Sequence, residues 1–244
     1  MKGKIFVVGT GPGFEEYLSL RAIEVLKQCD VVVGYKTYIA LIEKLIEGKE
    51  IVSSGMRREV ERCAMVLEIA ESGKNVCLIS SGDSGVYGMA GVVLEMVDKA
   101  QNGIEVEIVP GITSALSSAS LAGAPLMNDF AVVRLSDLMT PWEIIEKRTE
   151  KAAEGDFVIC VYNPKSKERV EQIRIFTDIV LRHRSPQTPV AIVRNAMRDE
   201  AAVTHTTLAE MLEHTIDMTT TLIIGNSQTY FSNGKMITPR GYKI

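Results

Sequence analysis

Short apolar runs alternate with amphipathic stretches along the first half of the chain, and the pattern begins with the apolar run at residues 4–8. Runs rich in β-branched residues predict strands, and apolar residues at three- and four-residue spacing predict helices. The predicted strands are residues 4–8, 30–33, 50–53, 75–80 and 105–109. The predicted helices are residues 17–28, 37–46, 57–71, 86–99 and 113–121. Such alternation is typical of crossover units and predicts a parallel sheet.

The stretch GAPLMNDFA, residues 123–131, interrupts this rhythm with glycine, proline and polar residues. We interpret it as the passage between two domains, residues 1–124 and 125–244. The predicted strands of the second half are residues 131–135, 157–162, 189–194, 203–206 and 221–225, and its predicted helices are residues 142–153, 168–181 and 208–214. Because the later strands follow one another closely, this sheet is expected to be mixed. The sequence therefore predicts two α/β domains, the first with a parallel sheet and the second with a mixed sheet.

Composition and charge narrow the possible functions. With 46% hydrophobic residues, a chain of 244 residues can bury a substantial core. A net charge of −4 gives no basic field for a phosphate backbone, so nucleic acid is not expected as a partner. The apolar run of the N-terminus is too short for a signal peptide or a membrane span, which favours a cytoplasmic protein without a membrane anchor.

The four cysteines, Cys29, Cys63, Cys77 and Cys160, lie far apart in the sequence and form no C-x-x-C pair. This spacing argues against a zinc ribbon, a redox dithiol or a disulfide framework. We expect all four to be buried as small apolar residues.

The loop GTGPGF, residues 9–14, places three glycines directly after the first predicted strand. Glycines at such a position let backbone approach a ligand closely. A standard dinucleotide site is nevertheless excluded, because Phe14 replaces the third glycine of G-x-G-x-x-G and Pro12 removes a backbone N–H. The second strand also ends in Gly34 and Tyr35, without the expected acidic residue. A plain structural turn remains the alternative to a ligand site.

Two further loops follow predicted strands of the same half. The loop ISSGDSGVYGMAG, residues 79–91, contains four glycines and places Asp83 at the carboxyl end of the sheet, where ligands bind in α/β proteins. Asp83 is either an N-cap or a polar contact within a cleft. In VPGITSA, residues 109–115, Thr113 and Ser114 lie at a helix start, where they either cap the helix or hold a carboxylate or an adenosine edge.

The three loops, in this order and spacing, resemble the donor-binding loops of the tetrapyrrole methylase family. The segments GYKTYIALI, SSGMRREVERC, LMNDFAVVRLSDLMTPWEIIEKR, VYNPKSKER, VRNAMR and TTTLIIGNSQTY resemble those members that methylate carbon 17 of precorrin-3B. The resemblance covers nearly the entire chain. It implies two α/β domains of the tetrapyrrole methylase type, with the active site in the cleft between them.

The resemblance also implies that S-adenosyl-L-methionine is the methyl donor. The residues implied to bind it are Pro12, Gly82, Asp83, Val86, Thr113 and Ser114 in the first half and Asn163, Ala196, Thr220 and Thr221 in the second. One departure is Ser84, because many family members have proline after the aspartate, and this change predicts a more flexible loop.

The implied reaction is methylation of carbon 17 of precorrin-3B or of its cobalt-containing counterpart, cobalt-factor III, with ring contraction, in cobalamin biosynthesis. Ring contraction would benefit from a proton donor or acceptor. Asp83 and Tyr87 are weak candidates for that role, and capping and packing are the alternative explanations. The carboxylates of the macrocycle call for cationic partners. The candidates are Arg57, Arg58, Lys165, Lys167 and Arg169, unless these are solvated surface charges.

The remaining expectations concern metals and partners. The three histidines, His183, His205 and His214, show no ligand spacing, so we expect no protein-bound metal, and cobalt would arrive within the substrate. The resemblance implies a homodimer, for which the apolar residues of 86–97 are a candidate interface. Two alternatives stay open: a family member with a different acceptor, and a non-catalytic nucleotide-binding module.

Overall fold

The computed structural model describes residues 2–55 and 58–243. The chain forms two compact units, Met1–Thr113 and Ser114–Ile244. The change from one unit to the next therefore comes earlier in the sequence than the predicted boundary after residue 124.

Within residues 2–55 and 58–113, the first unit contains a five-stranded sheet and four α-helices. In chain order its elements are β1 (Ile5–Gly9), α1 (Leu20–Gln28), β2 (Val31–Tyr35), α2 (Lys36–Leu41), β3 (Glu50–Ser54), α3 (Glu59–Glu71), β4 (Val76–Ser80), α4 (Ala90–Ala100) and β5 (Val106–Val109). The strand order is β3-β2-β4-β1-β5, and every pair of neighbours is parallel, as predicted.

Both faces of this sheet are buried. On β1, Ile5 and Val7 pack into one hydrophobic cluster with residues of α3 and α4, whereas Phe6 and Val8 pack into another with residues of α1. A parallel strand covered on both sides needs apolar residues at every position, which explains why the sequence shows an unbroken run here.

Several helices differ from their predicted bounds. The helix predicted at residues 86–99 begins only at Ala90, because Tyr87 has a left-handed φ of 53°, which an α-helix does not accommodate. The helix predicted at 17–28 begins at Leu20, where the Ser19 side chain accepts a hydrogen bond from Ala22 N at 3.1 Å and caps it.

The other two differences lie on either side of β3. The helix predicted at residues 37–46 is divided into α2 and a 3-10 helix, Glu43–Ile46. At the division Ile42 N donates to Ile39 O, three residues earlier, which is the hydrogen bond of a 3-10 turn. The predicted start of the next helix at Arg57 lies outside the described residues, and α3 begins at Glu59.

A surface ion-pair network joins β5 to β1 and α1. The Glu107 carboxylate accepts a hydrogen bond from Arg21 Nε at 2.7 Å and contacts Lys4 Nζ at 2.9 Å. The hydrogen bond from Arg21, and then the one from Lys4, lower the pKa of Glu107 to about 2, against an ordinary value of 4.5. The stabilisation from a lowered carboxyl pKa is complete above the ordinary value and disappears as the pH falls toward the lowered one.

We therefore expect Glu107→Gln to lower the free energy of unfolding at pH 7 by less than about 1 kcal/mol, since the pair is partly exposed. The difference from the wild type should shrink between pH 4.5 and pH 2, and denaturant unfolding across this range measures it. Glu95→Gln, at an exposed carboxylate on α4, is the control for the loss of a surface charge. A difference in unfolding free energy of equal size at pH 4.5 and at pH 2 would contradict the lowered pKa of Glu107.

The second unit has three α-helices and two sheets in its described part, residues 114–243. In chain order its elements are α5 (Ser114–Ala122), β6 (Gly123–Ala124), β7 (Phe130–Arg134), α6 (Trp142–Glu154), β8 (Val158–Tyr162), α7 (Glu171–Leu181), β9 (Pro189–Arg194), β10 (Ala202–Thr207), β11 (Thr220–Ile224), β12 (Tyr230–Ser232) and β13 (Lys235–Ile237). The larger sheet has the order β10-β9-β11-β8-β7. Only the β7–β8 pair is parallel, so this sheet is mixed, as predicted.

The prediction was less accurate toward the end of the second unit. The helix predicted at residues 208–214 is only a 3-10 helix, Met211–Glu213, because Glu213 N and His214 N donate to carbonyls three residues earlier. The smaller sheet, with the order β12-β13-β6, was missed altogether. Its strand β6 has two residues, too few for a sequence pattern.

All four cysteines are free and buried, as predicted. Burial raises the pKa of Cys63 to about 11 and that of Cys160 to about 12, so these thiols stay protonated at neutral pH. No helix within residues 2–55 and 58–243 combines the length and apolar character needed to cross a membrane.

Candidate functional site

The three glycine-containing loops of the first unit follow three adjacent strands. Since the strand order is β4-β1-β5, the loops after Ser80, Gly9 and Val109 leave the same edge of the sheet side by side. This is the carboxyl edge, where open parallel sheets bind their ligands.

Backbone hydrogen bonds join the first loop to the second. Gly11 N donates to Gly82 O at 3.0 Å, and Gly82 N donates to Gly11 O at 2.7 Å. Gly11 and Gly82 have φ values of 58° and 69°, a left-handed region that glycine adopts at little cost. The reciprocal pair therefore fixes two loops to each other, and it depends on glycine at both positions.

Asp83 joins the second loop to the third. Its Oδ1 accepts hydrogen bonds from Gly85 N at 2.8 Å and Val86 N at 3.1 Å, and its Oδ2 accepts one from Gly111 N at 3.0 Å. Both carboxylate oxygens are thus occupied by backbone donors. Asp83 was predicted as either an N-cap or a cleft contact, but it does not cap α4, whose N-cap residue is Met89. Its carboxylate instead forms a side-chain turn within the second loop and reaches the neighbouring loop.

The backbones of all three loops are in close contact at one point. A Cβ atom at Gly111 would lie 2.2 Å from Gly82 O and 2.6 Å from Gly9 C, and a Cβ atom at Gly9 would lie 2.7 Å from Gly111 N. No side chain fits between backbones at these separations. The glycines noted in the sequence are therefore required where the loops meet.

Ser84 is held within this arrangement. Its buried hydroxyl donates to Val109 O at 3.3 Å, and its carbonyl accepts a hydrogen bond from Ala90 N at 3.0 Å. Ser84 therefore ties the second loop to the end of β5 and to the first residue of α4.

The other predicted residues of the first unit differ in exposure. Pro12 is buried, Thr113 is half-buried, and Val86 and Tyr87 are exposed. Val86 and Tyr87 belong to the second loop, shortly before α4 begins at Ala90, and form an exposed apolar and aromatic surface there. The structure thus brings Pro12, Gly82, Asp83, Val86 and Thr113 onto the three loops of one sheet edge.

The four predicted residues of the second unit also share one edge of a sheet. Thr220 pairs with Arg194, the last residue of β9, and Asn163 follows the end of β8. Because β11 is antiparallel to both β8 and β9, its first residues lie beside their last ones. Thr220, Thr221, Asn163 and Ala196 are therefore neighbours along this edge, and both threonines are buried.

The start of α5 is occupied by a side chain that the sequence analysis missed. The Tyr162 hydroxyl accepts a hydrogen bond from Ala115 N at 2.6 Å. Ser114 is the first residue of α5, so the first turn of this helix uses one of its open N–H groups on a tyrosine of β8. No motif in the sequence connects Tyr162 to α5.

The arginines and lysines considered as partners for the carboxylates of the macrocycle differ in exposure and in contacts. Arg57 lies outside the described residues. Arg58 is exposed, 3.6 Å from Glu61, and Lys167 is exposed, whereas Lys165 and Arg169 are half-buried. Arg169 donates from a guanidinium N–H to Asn163 O at 2.5 Å. Burial lowers the pKa of Arg169, the nearby charge of Arg134 lowers it further, and Asp137 opposes both.

The three histidines make separate contacts. His183 lies 2.6 Å from Glu150, His214 lies 3.1 Å from the Thr206 hydroxyl, and His205 packs against the Phe231 ring at 4.7 Å. Within residues 2–55 and 58–243, no group of three or more His, Cys, Asp or Glu side chains is arranged to hold a metal ion.

A surface groove lies elsewhere, between α6 and α7. It has a volume of about 750 Å³ and is lined by Glu143, Glu146, Lys147, Glu150, Ile175, Asp178, Ile179 and Arg182. It contains none of the predicted site residues. Since most of its lining is charged, whereas ligand pockets are mostly apolar, we assign the site to the strand-end loops and not to this groove.

The chain was compared with known families and curated proteins. Residues 4–212 match the family model described as Tetrapyrrole (Corrin/Porphyrin) Methylases. The chain is 50% identical to a "Cobalt-factor III methyltransferase" of Priestia megaterium, over 100% of this chain and 46% of the relative. It is 48% identical to a "Probable cobalt-factor III C(17)-methyltransferase" of Salmonella typhimurium, over 98% of this chain and 99% of the relative. It thus spans about half of the first relative and nearly all of the second.

Solved structures show the same fold. The crystal structure of the methyltransferase CobJ superimposes with a TM-score of 0.92 at 35% identity, over 97% of this chain and 100% of that one. A uroporphyrin-III C-methyltransferase from Thermus thermophilus, complexed with S-adenyl homocysteine, superimposes with a TM-score of 0.70 at 26% identity, over 91% and 97% of the two chains.

Proposed function

Since the chain belongs to the tetrapyrrole (corrin/porphyrin) methylases, we propose that it transfers a methyl group from S-adenosylmethionine to carbon 17 of cobalt-factor III or precorrin-3B, with ring contraction. The observation that carries the proposal is the 48% identity with the Salmonella relative, which extends over 98% of this chain and 99% of that protein. The pathway is cobalamin biosynthesis, and the macrocycle is a small-molecule substrate.

We propose that the donor is bound by the residues at the two sheet edges. These are Pro12, Gly82, Asp83, Val86, Thr113, Ser114, Asn163, Ala196, Thr220 and Thr221. The chemistry of the first edge suits a nucleoside, because closely packed glycine backbone lies next to the exposed side chains of Val86 and Ile112. The Thermus thermophilus neighbour, which carries S-adenyl homocysteine, supports this choice of donor.

The chain's own residues need only orient the reactants and exclude water. When bound, S-adenosylmethionine supplies an electrophilic methyl group, which is transferred by direct displacement. Holding two reactants in line supplies much of the barrier reduction in such a step. Loops fixed by the Gly11–Gly82 hydrogen bonds and by Asp83 are suited to that task because these bonds hold the backbones of the loops together.

The proton-transfer residue of ring contraction is not assigned to Asp83. The three described hydrogen bonds of its carboxylate come from backbone N–H groups, which is the arrangement of a structural loop contact. Tyr87 remains a candidate for the proton-transfer residue, since its side chain is 49% exposed on the second loop. We place the protein in the cytoplasm, without a resident metal ion.

We also propose a homodimer. Val86 and Leu94, within the stretch expected to form the interface, are 37% and 47% exposed. Large apolar side chains exposed at the surface are often covered by a second subunit. The mass of the protein in solution tests this point.

The proposed function is tested with methyl-labelled S-adenosylmethionine and, in separate reactions, cobalt-factor III and precorrin-3B. We expect label at carbon 17 of a contracted ring with at least one macrocycle, identified by mass spectrometry and NMR. If the donor binds and neither macrocycle is methylated, the chain is a family member with another acceptor or a non-catalytic nucleotide-binding module. If S-adenosylhomocysteine does not bind, the proposal fails.

A further inference from the structure

Asp217 lies in the turn that precedes β11, and it organises that turn. Its Oδ1 accepts hydrogen bonds from Thr219 N at 2.8 Å, from the Thr219 hydroxyl at 2.8 Å and from the Thr220 hydroxyl at 3.0 Å. Its backbone N–H donates to Thr220 Oγ1 at 3.1 Å, and its carbonyl accepts a bond from Thr220 N at 3.3 Å. One side chain therefore fixes both threonines.

These contacts determine what the Thr220 hydroxyl can offer to a ligand. A hydroxyl has one proton and two lone pairs. Thr220 gives its proton to Asp217 Oδ1 and uses one lone pair on Asp217 N, so it retains one lone pair. The hydroxyl of Thr220 can accept a hydrogen bond from a ligand N–H or O–H group, but it cannot donate one.

The same turn reaches the loop after β9. Thr219 O accepts a hydrogen bond from Asn195 N at 3.2 Å, and Asn195 has a left-handed φ of 50°. Asn195 immediately precedes Ala196, another residue assigned to the donor site. Asp217 thus supports, through Thr219, a second segment of the same sheet edge.

Asp217 is ionised at neutral pH. Burial raises the pKa of its carboxyl, but the hydrogen bonds from Thr219 and Thr220 and the charge of Arg194 outweigh burial, so the pKa lies below its ordinary value. An ionised carboxylate accepts hydrogen bonds and donates none. At neutral pH the Thr220 hydroxyl therefore donates its proton to Asp217 Oδ1.

We propose that Asp217 is a positioning residue of the donor site, which orients the Thr220 hydroxyl as a hydrogen-bond acceptor and holds the Ala196 loop in place. The inference rests on the proposed function, since it takes S-adenosylmethionine as the ligand. The N–H groups that match such an acceptor are the adenine amino group and the ammonium of the methionine part.

The test measures the affinity of the full chain for S-adenosylhomocysteine by calorimetry. We expect Asp217→Ala to weaken binding by roughly tenfold or more, because it removes hydrogen bonds to a charged group. Asp217→Asn, which keeps the shape and one acceptor oxygen, should weaken binding less. Asp178→Ala, an exposed aspartate on α7, is the matched control and should bind as the wild type does.

A double-mutant cycle separates positioning from general damage to the fold. Thr220→Val removes the hydroxyl and keeps the shape. If Asp217 acts through Thr220, the affinity losses of Asp217→Asn and Thr220→Val will not add in the double variant. Fully additive losses, or affinities of all folded variants equal to the wild type, would overturn the inference.

A second ligand identifies which group of S-adenosylmethionine the Thr220 hydroxyl binds, and further variants keep the test decisive if one of them does not fold. Methylthioadenosine retains adenine and lacks the amino-acid part, so an equal loss for it and for S-adenosylhomocysteine indicates adenine, and a loss for the latter alone indicates the ammonium. If Asp217→Ala does not fold, Asp217→Asn and Thr220→Val decide the question. Wild-type binding with unchanged variants rejects the inference and leaves the proposed function intact, whereas lack of wild-type binding rejects both.

Discussion

Gly111→Ala is expected to destabilise the first unit by roughly 3 kcal/mol or more and to abolish donor binding. The new methyl group would lie 2.2 Å from Gly82 O and 2.6 Å from Gly9 C. Since both neighbours are backbone, the clash cannot be relieved by rotation of a side chain. The third loop must move away from the other two, and with it the hydrogen bond from Gly111 N to Asp83 is lost.

Denaturant unfolding and calorimetry with S-adenosylhomocysteine measure the two effects of Gly111→Ala. Gly91→Ala is the matched control, because a Cβ at Gly91 has no heavy atom within 4 Å and the residue lies inside α4. Alanine favours the helix over glycine, so this control should gain about 0.5–1 kcal/mol and bind normally. If Gly111→Ala were as stable as the wild type, the close approach of the three loops would be wrong.

Asp83→Ala is expected to cost about 2–3 kcal/mol and to weaken donor binding by at least roughly tenfold. The substitution leaves the N–H groups of Gly85, Val86 and Gly111 without their acceptor. Water can reach the first two, which are exposed, while Gly111 is half-buried. The largest part of the loss should therefore come from the contact between the second and third loops.

Asp83→Asn separates a structural from a catalytic role. The carbonyl oxygen of asparagine can still accept the hydrogen bonds from Gly85 N and Val86 N. Its NH₂ group cannot accept the hydrogen bond that Gly111 N donates to Asp83. A structural Asp83 predicts that stability and affinity for S-adenosylhomocysteine fall together. Normal stability and binding with no turnover would instead identify Asp83 as the proton-transfer residue. Asp98→Asn, an exposed aspartate on α4, controls for the loss of charge and should be unchanged.

The sequence predicted the two α/β units and the type of each sheet, because buried parallel strands leave unbroken apolar runs. It failed where conformation depends on single residues or distant partners. The left-handed Tyr87 delays α4 by several residues, and no propensity scale favours tyrosine in that conformation. The short β6 exists only because it pairs with β13, more than a hundred residues later.

The candidate site, like the fold, was predicted only in part from the sequence. Three loops were predicted from their glycines, and each does follow a strand of the first sheet. Their mutual hydrogen bonds were not predictable, because they require the strand order β4-β1-β5, which brings Asp83 next to Gly111. Asp217 was missed, although an aspartate two residues before a pair of threonines is a recognisable side-chain turn.

The position of β1 in its sheet has a consequence for biosynthesis. β1 leaves the ribosome before both of its partners, β4 and β5, since Ile5 lies beside Val76 and Val106. The nascent β1 segment is therefore apolar and unpaired until β4, about 70 residues later, has been translated, and it lacks its second partner until β5, about 100 residues later, follows. Non-local pairing of this kind slows folding and exposes the chain to aggregation. Chaperone dependence of the newly made protein should consequently be concentrated in its first unit.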